Sequence, residues 1–147
     1  MDLTITDAKE ELLPQIQCIE QQSFSVPWTE QMLRVQLAPD SHVFLTAETA
    51  DGVVGYVGMM YVLDEGYISN VAVRPDFRRR GAADALLTAL EARARALQLS
   101  FLTLEVRESN AAAVALYEKH GYRIAGRRKH YYEKPTEDAL LMTLTLS

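Results

Sequence analysis

Residues 74 to 87 read "RPDFRRRGAADALL", and no other stretch restricts the fold as much. Before it, "YISNVAVR" reads as a strand ended by Pro75. After it, Leu87, Leu90, Ala94 and Leu97 recur at steps of 3, 4 and 3, with Leu86 widening the stripe. Asp84, Thr88, Glu91 and Arg95 keep the same rhythm on another face. That spacing predicts an amphipathic helix of about four turns. A strand that passes through a basic loop and a glycine into a helix N-terminus forms an anion site. The first amides of a helix have no partners within it, and the helix dipole is positive there. Glycine lets the backbone come close to a ligand, and phosphate is the natural guest. No "GK" pair follows, so this is not a Walker loop, and one glycine does not make a dinucleotide fingerprint. The competing reading is a basic turn in water, with Arg74 and Arg79 simply solvated.

The placement of this charge stands out because the whole chain is acidic, at −5. That balance argues against general nucleic-acid binding, which depends on phosphate neutralisation. The 147 residues fit one domain over 1–147, long enough to bury a real core. The apolar runs fall far short of the ~20 residues of a membrane helix, so no membrane partner is expected. "MDLTITDAKEE" shows no secretory signal. The single Cys18 allows no intrachain disulfide, which suits a cytoplasmic location. It lies in a helical pattern with Ile16 and Ile19 and reads as a buried structural thiol. His42, His120 and His130 lack metal-ligand spacing, so no metal is expected.

The remaining elements fall in a clear order. A strand is expected at Leu3–Thr6, then a helix over "EELLPQIQCIEQQSF" with Leu13, Ile16, Ile19 and Glu20 near one face. "SVPWTEQMLRVQL" starts a second helix capped by Thr29, with Met32, Leu33 and Leu37 as apolar contacts. "HVFLTAET" and "VVGYVGMMYVL", joined at Asp51-Gly52, form a hairpin. After the long helix come the strand "FLTLEV", the short helix "NAAAVALYEKH" ending at Gly121, and the strands "YRIAGRRKHYY" and "DALLMTLTL". The order predicts a mixed α/β sheet, antiparallel at first, with crossover helices later.

Two residues stand out inside these elements. Glu105 alternates with Thr103 and Phe101 in an otherwise apolar strand, where a carboxylate is costly unless it faces a cleft or has partners. Tyr117 sits on the short helix that follows. A partly desolvated carboxylate can act as a general base and a phenol as a general acid. An edge-strand surface charge and a core aromatic are the plain alternatives for these two.

"RRRGAADALL" resembles the acyl-CoA pyrophosphate motif of the GCN5-related N-acetyltransferases (GNAT), Gln/Arg-x-x-Gly-x-Gly/Ala, filled here by Arg78, Gly81 and Ala83. Within that superfamily the chain resembles the RimI-like branch, which acetylates the N-terminal alanine of a ribosomal protein. The supporting segments are "IEQQSFSVPWTE", "ISNVAVRPDFRRRG", "LEVRESNAAAVALYEKHGY", "GRRKHYY" and "EDALLM", spread over nearly the whole chain in the family's order. Two positions depart from commoner forms: Ala83 replaces a more frequent Gly, and His130 stands where relatives often have Asn.

The resemblance implies a GNAT fold with a largely antiparallel sheet of about seven strands and about four helices. It implies acetyl-CoA as co-substrate, with the backbone of Arg79, Arg80, Gly81, Ala82 and Ala83 on the pyrophosphate and the side chain of Arg78 or Arg80 adding charge. Val71, Ala72 and Val73 would run beside the pantetheine arm, the Val71 amide facing the thioester oxygen. Asn110 would touch the cofactor, although it is also a good helix cap. Glu105 would be the base and Tyr117 the acid. Trp28, Tyr131 and Tyr132 would line a slot for a peptide N-terminus, the partner being a ribosomal protein and the enzyme a monomer or weak dimer. By charge alone, Glu30 or Glu133 would attract a basic second residue of that peptide. Acetylation of a small amine or a lysine, and a non-catalytic acyl-CoA sensor, remain the other readings.

Overall fold

The computed structural model describes residues 2–146. Seven strands form one sheet in the order β1-β2-β3-β4-β5-β7-β6. They are β1 (Thr4–Asp7), β2 (His42–Thr49), β3 (Gly52–Val62), β4 (Glu65–Val73), β5 (Phe101–Arg107), β6 (Arg123–Tyr132) and β7 (Glu137–Thr145). Four α-helices complete the fold: α1 (Leu13–Ser23), α2 (Glu30–Val35), α3 (Ala82–Ala96) and α4 (Ala111–Lys119). The expected mixed sheet and helix order are therefore present. Every strand pairing is antiparallel except β4 with β5.

Alternation along the strands sends apolar side chains to both faces of the sheet. Val43, Leu45, Val57 and Met59 pack with Leu86, Leu87, Leu90 and Ala94 of α3. Phe44, Val53, Tyr56 and Ala72 pack with Leu13, Ile16 and Ile19 of α1 and Leu33 of α2. The helix ends follow local chemistry. Thr29 Oγ1 accepts from the Met32 amide at 3.2 Å, and Asn110 Oδ1 accepts from the Ala113 amide at 3.2 Å. α4 closes with Gly121 at φ +95°, its amide on the Glu118 carbonyl and that of Tyr122 on the Tyr117 carbonyl. This Schellman pair is what a glycine just past a helix allows.

Four expectations need correction. The first helix opens with a 3-10 turn at Glu10–Leu12 before α1, with Pro14 in the first turn of the α-helix. α2 has only six residues; Leu33 is its buried contact, and Met32 points outward. Leu97 is the exposed C-cap of α3, while Glu91 is buried. Cys18 is exposed rather than buried. It neighbours Ile16 and Ile19 in sequence, but the buried stripe of α1 runs Leu13, Ile16, Ile19, Glu20. Positions two apart on a helix face different ways. Among the described residues no helix is long and apolar enough to cross a membrane.

Candidate active site

The feature that makes a site is the parting of β4 and β5. They pair in parallel only at Glu65↔Phe101, Gly66↔Leu102 and Tyr67↔Thr103. Past those pairs β4 keeps β3 as its neighbour and β5 keeps β7, so the two strands separate. Backbone groups of β4 on the side facing β5 are left without a strand partner, as at a sheet edge. The register of β3 on β4 also slips, from Gly58↔Asn70 to Met59↔Ile68, so Ser69 is an extra residue in the strand. Such bulges re-aim side chains beside functional sites.

A cleft of about 470 Å³ fills this gap. Ile68, Ser69, Asn70 and Val71 of β4 line one side, and Leu104 through Arg107 of β5 the other. Glu105, Asn110, Tyr117, Trp28, Tyr131 and Tyr132 all face it. The structure thus gathers both expected acid–base residues and all three expected slot residues on one cavity. Glu133 lines it too, whereas Glu30 does not and instead pairs with Arg34.

Glu105 is half-buried, and its Oε1 accepts from Arg128 Nε at 3.0 Å. Because β4 has withdrawn at this level, Glu105 borders the cleft rather than an outer edge of the sheet. The Tyr117 ring is buried and stands edge-on to Tyr122, 5.7 Å between centroids. Burial pushes its phenol up to about 12, so it keeps its proton at neutral pH. Tyr131 is half-exposed and meets Tyr132 edge-on at 5.0 Å. Burial and the nearby Glu105 charge raise the Tyr131 phenol. His130 has φ +53° and donates its amide to Asp138 Oδ1 at 3.0 Å. Left-handed φ favours Asn and His among non-glycine residues, so His in place of Asn fits the backbone here.

β4 leads on from the cleft into the arginine turn. Arg74 is held by Asp76 through two hydrogen bonds, at 3.0 and 2.7 Å, and lies over the Phe77 ring. Arg78 Nε donates to the Val73 carbonyl at 3.1 Å, which makes its side chain a brace of the turn. Arg80 also lies over the Phe77 ring, 5.1 Å from its centroid. Two residues take left-handed φ, Arg79 at +63° and Gly81 at +87°. α2 and α4 carry capping side chains, but α3 has none. The first α3 amide with a backbone partner is that of Ala85, on the Gly81 carbonyl. A left-handed residue followed by a helical one aims successive amides into a concavity that suits an anion. A Cβ on Gly81 would meet nothing within 4 Å beyond its own chain neighbours, so the turn is not covered by another part of the protein at that point. Asp84, in the first turn, is hydrogen-bonded to His120 Nε2 at 2.9 Å and paired with Lys119 at 3.2 Å. These features fit a bound diphosphate. Gly81→Glu is expected to weaken acetyl-CoA binding about tenfold or more, by strain at positive φ and by charge against phosphate. Titration calorimetry checks this, and unchanged affinity would contradict it.

Sequence reasoning missed the carboxylate that organises the cleft floor. Glu20 is 1% exposed. Its carboxylate accepts from Asn70 Nδ2 at 2.8 Å, from the Trp28 amide at 3.2 Å and from the Tyr56 hydroxyl. Gln17 Nε2 holds the Trp28 carbonyl at 2.6 Å, so α1 fixes both backbone groups of that tryptophan. The signal was available: an acid on the apolar stripe of α1. Burial raises the Glu20 carboxyl above its ordinary 4.5, and the bonds from Tyr56, Trp28 and Asn70 pull it partly back. A raised folded value favours the protonated form, so its stabilisation is complete below about 4.5 and lost as pH rises through the folded value. The stability of the wild type relative to Glu20→Gln should therefore fall with rising pH across that window. Urea unfolding at a series of pH values reads this, with groups common to both proteins cancelling. A difference independent of pH would contradict it.

The fold and this cleft define an acyltransferase of the GNAT type. The profile described as the Acetyltransferase (GNAT) family matches residues 13–122, and the chain belongs to that family of acetyl-CoA-using enzymes. It is 38% identical over 139 residues to the ribosomal protein bS18-alanine N-acetyltransferase of Salmonella typhimurium, covering 92% of each chain. It is 36% identical over 148 residues to the enzyme of that name from Escherichia coli K12, covering 98% of each. The crystal structure of the Escherichia coli ribosomal-protein-S18-alanine N-acetyltransferase superimposes with a TM-score of 0.92 at 34% identity, over 99% of this chain and 95% of that one. Among the described residues no group of three or more His, Cys, Asp or Glu side chains is placed to hold a metal ion.

Proposed function

We propose that this chain transfers acetyl from acetyl-CoA to the N-terminal alanine amine of a small-subunit ribosomal protein in the cytoplasm. The observation that carries the reading is the cleft where β4 and β5 part, which Glu105 and Tyr117 both face. The likeness to relatives named for that activity supports the choice of amine. The amides from Arg79 to Ala83 hold the pyrophosphate, with the side chain of Arg78 or Arg80 adding charge. The β5-facing edge of β4 from Val71 to Val73, which has no strand partner, receives the pantetheine arm as an additional strand would. Asn110, which lines the cleft and caps α4, touches the cofactor at the start of that helix.

Bound there, acetyl-CoA supplies the thioester. Glu105 removes a proton from the amine, directly or through a water, and the neutral amine attacks the carbonyl. The Val71 amide stabilises the oxyanion. As the C–S bond breaks, Tyr117, still protonated at working pH, gives its proton to the departing sulfur, and the adduct nitrogen releases its remaining extra proton to water as the amide forms. No covalent enzyme intermediate is needed, and exposed Cys18 has no part. Trp28, Tyr131 and Tyr132 bound the slot for the peptide. The experiment is a steady-state assay on an alanine-initiated peptide against free polyamines, amino acids, aminoglycosides and lysine peptides. Turnover of the first supports the reading. Preference for a free amine, or binding of acetyl-CoA without turnover of any amine, rejects it.

A further inference from the structure

The two walls of the slot come from distant parts of the chain: the loop between α1 and α2, and the turn between β6 and β7. Arg107 joins them. It lies on β5 two positions beyond Glu105, hence on the same face of the strand. Its Nη2 donates to Ser25 Oγ at 3.3 Å and to the Glu133 carbonyl at 2.8 Å. Its Nη1 donates to the Pro135 carbonyl at 2.9 Å and to Glu137 Oε1 at 3.2 Å. The guanidinium carbon is 4.6 Å from the centre of the Tyr132 ring. Ser25 Oγ also reaches the Glu133 carbonyl, at 3.5 Å. One planar cation therefore grips a hydroxyl on one wall, and two carbonyls, a carboxylate and an aromatic face on the other.

We propose that Arg107 is a positioning residue that sets the separation of the two slot walls and so determines how tightly the peptide amine is held before Glu105. Several observations favour this over a general structural role. The guanidinium is only a quarter exposed and faces the cleft. Ser25, Glu133 and Pro135 are loop residues, and Glu137 and Tyr132 stand at the strand ends that flank the turn; the β5–β7 ladder at this level, Arg107↔Ala139, is made by the backbone. Only a forked, planar donor can serve both walls at once. Lysine keeps the charge but offers a single ammonium at the end of a flexible stem.

The inference rests on the slot assigned above, so the experiment has one arm that needs no substrate. In Arg107→Lys, hydrogen exchange should quicken together in the 24–29 loop and the 133–136 turn, with α3 unchanged. In steady state the peptide KM should rise about tenfold or more, with a smaller fall in kcat, as expected for lost charged hydrogen bonds in a binding wall. Acetyl-CoA affinity, measured directly, should hold. Unchanged exchange in either segment overturns the inference whatever the substrate proves to be. A uniform loss of kcat and both affinities, with a lowered Tm, also overturns it, since that is the mark of a merely structural residue. Altered exchange in a protein that acetylates no peptide would reject the substrate reading and leave the loop linkage standing.

Discussion

Glu105→Gln is expected to lower kcat on an alanine-initiated peptide by about 100-fold or more, the usual contribution of a positioned base. That is about 2.7 kcal/mol of barrier. Glutamine keeps the size of the side chain and can still accept from Arg128 Nε, but it cannot take a proton. Arg128 is 55% exposed, so its pairing with Glu105 is screened by water and easily exchanged for the incoming ammonium. The loss should shrink at higher pH, because an α-ammonium of pKa near 7.7–8.0 then arrives already neutral. Acetyl-CoA affinity should stay as in the wild type. A pH series of steady-state rates reads all of this, and an undiminished kcat at pH 7 would remove Glu105 from the mechanism.

Tyr117→Phe should also lower kcat by about 100-fold or more, through the opposite proton. The ring is buried and packed against Tyr122, so phenylalanine keeps its packing and removes only the hydroxyl. Burial holds the phenol near 12, so no falling limb from its ionisation should appear below about pH 10 in the wild type. The variant should respond differently to the leaving group. A donor thioester with a more acidic thiol needs no proton at departure and should recover much of the rate. Equal losses for all donors would deny Tyr117 the role of acid. Neither loss should come with weaker binding at the Gly81 turn, whose amides belong to another helix.

The parts of this fold that were legible in the sequence are those set by local chemistry. The α3 stripe as far as Ala94, the Thr29 and Asn110 caps, Gly121 and the helix start at Gly81 each follow from a few neighbouring residues. Family motifs then brought Glu105 and Tyr117 to one site, which spacing alone left open. What stayed hidden depends on partners far away in sequence. The parting of β4 from β5 after Tyr67↔Thr103 leaves no local mark. Arg128 reaches Glu105 from β6, across β7, through a register that slips between Arg128 and Tyr132. Arg107 falls just past the expected strand "FLTLEV" and had no role, because its carbonyl partners lie on the β6–β7 turn, far away in sequence. Arg78 or Arg80 read as a phosphate-side charge, while the contacts that Arg78 Nε makes with the Val73 carbonyl and Arg80 with the Phe77 ring could not be read from their neighbours. Cys18 failed for a simpler reason, since adjacency to Ile19 is not a shared helix face.

The central claim is that the open amides at Gly81 seat a diphosphate and that the gap between β4 and β5 carries the thioester to Glu105 and Tyr117. A crystal structure of the protein with coenzyme A tests it most directly. The account predicts phosphate oxygens within hydrogen-bond distance of the Gly81 to Ala83 amides, the pantetheine arm along Val71 to Val73, and the sulfur in the cleft beside Tyr117. A diphosphate bound away from the α3 N-terminus, or a sulfur outside that gap, would contradict it.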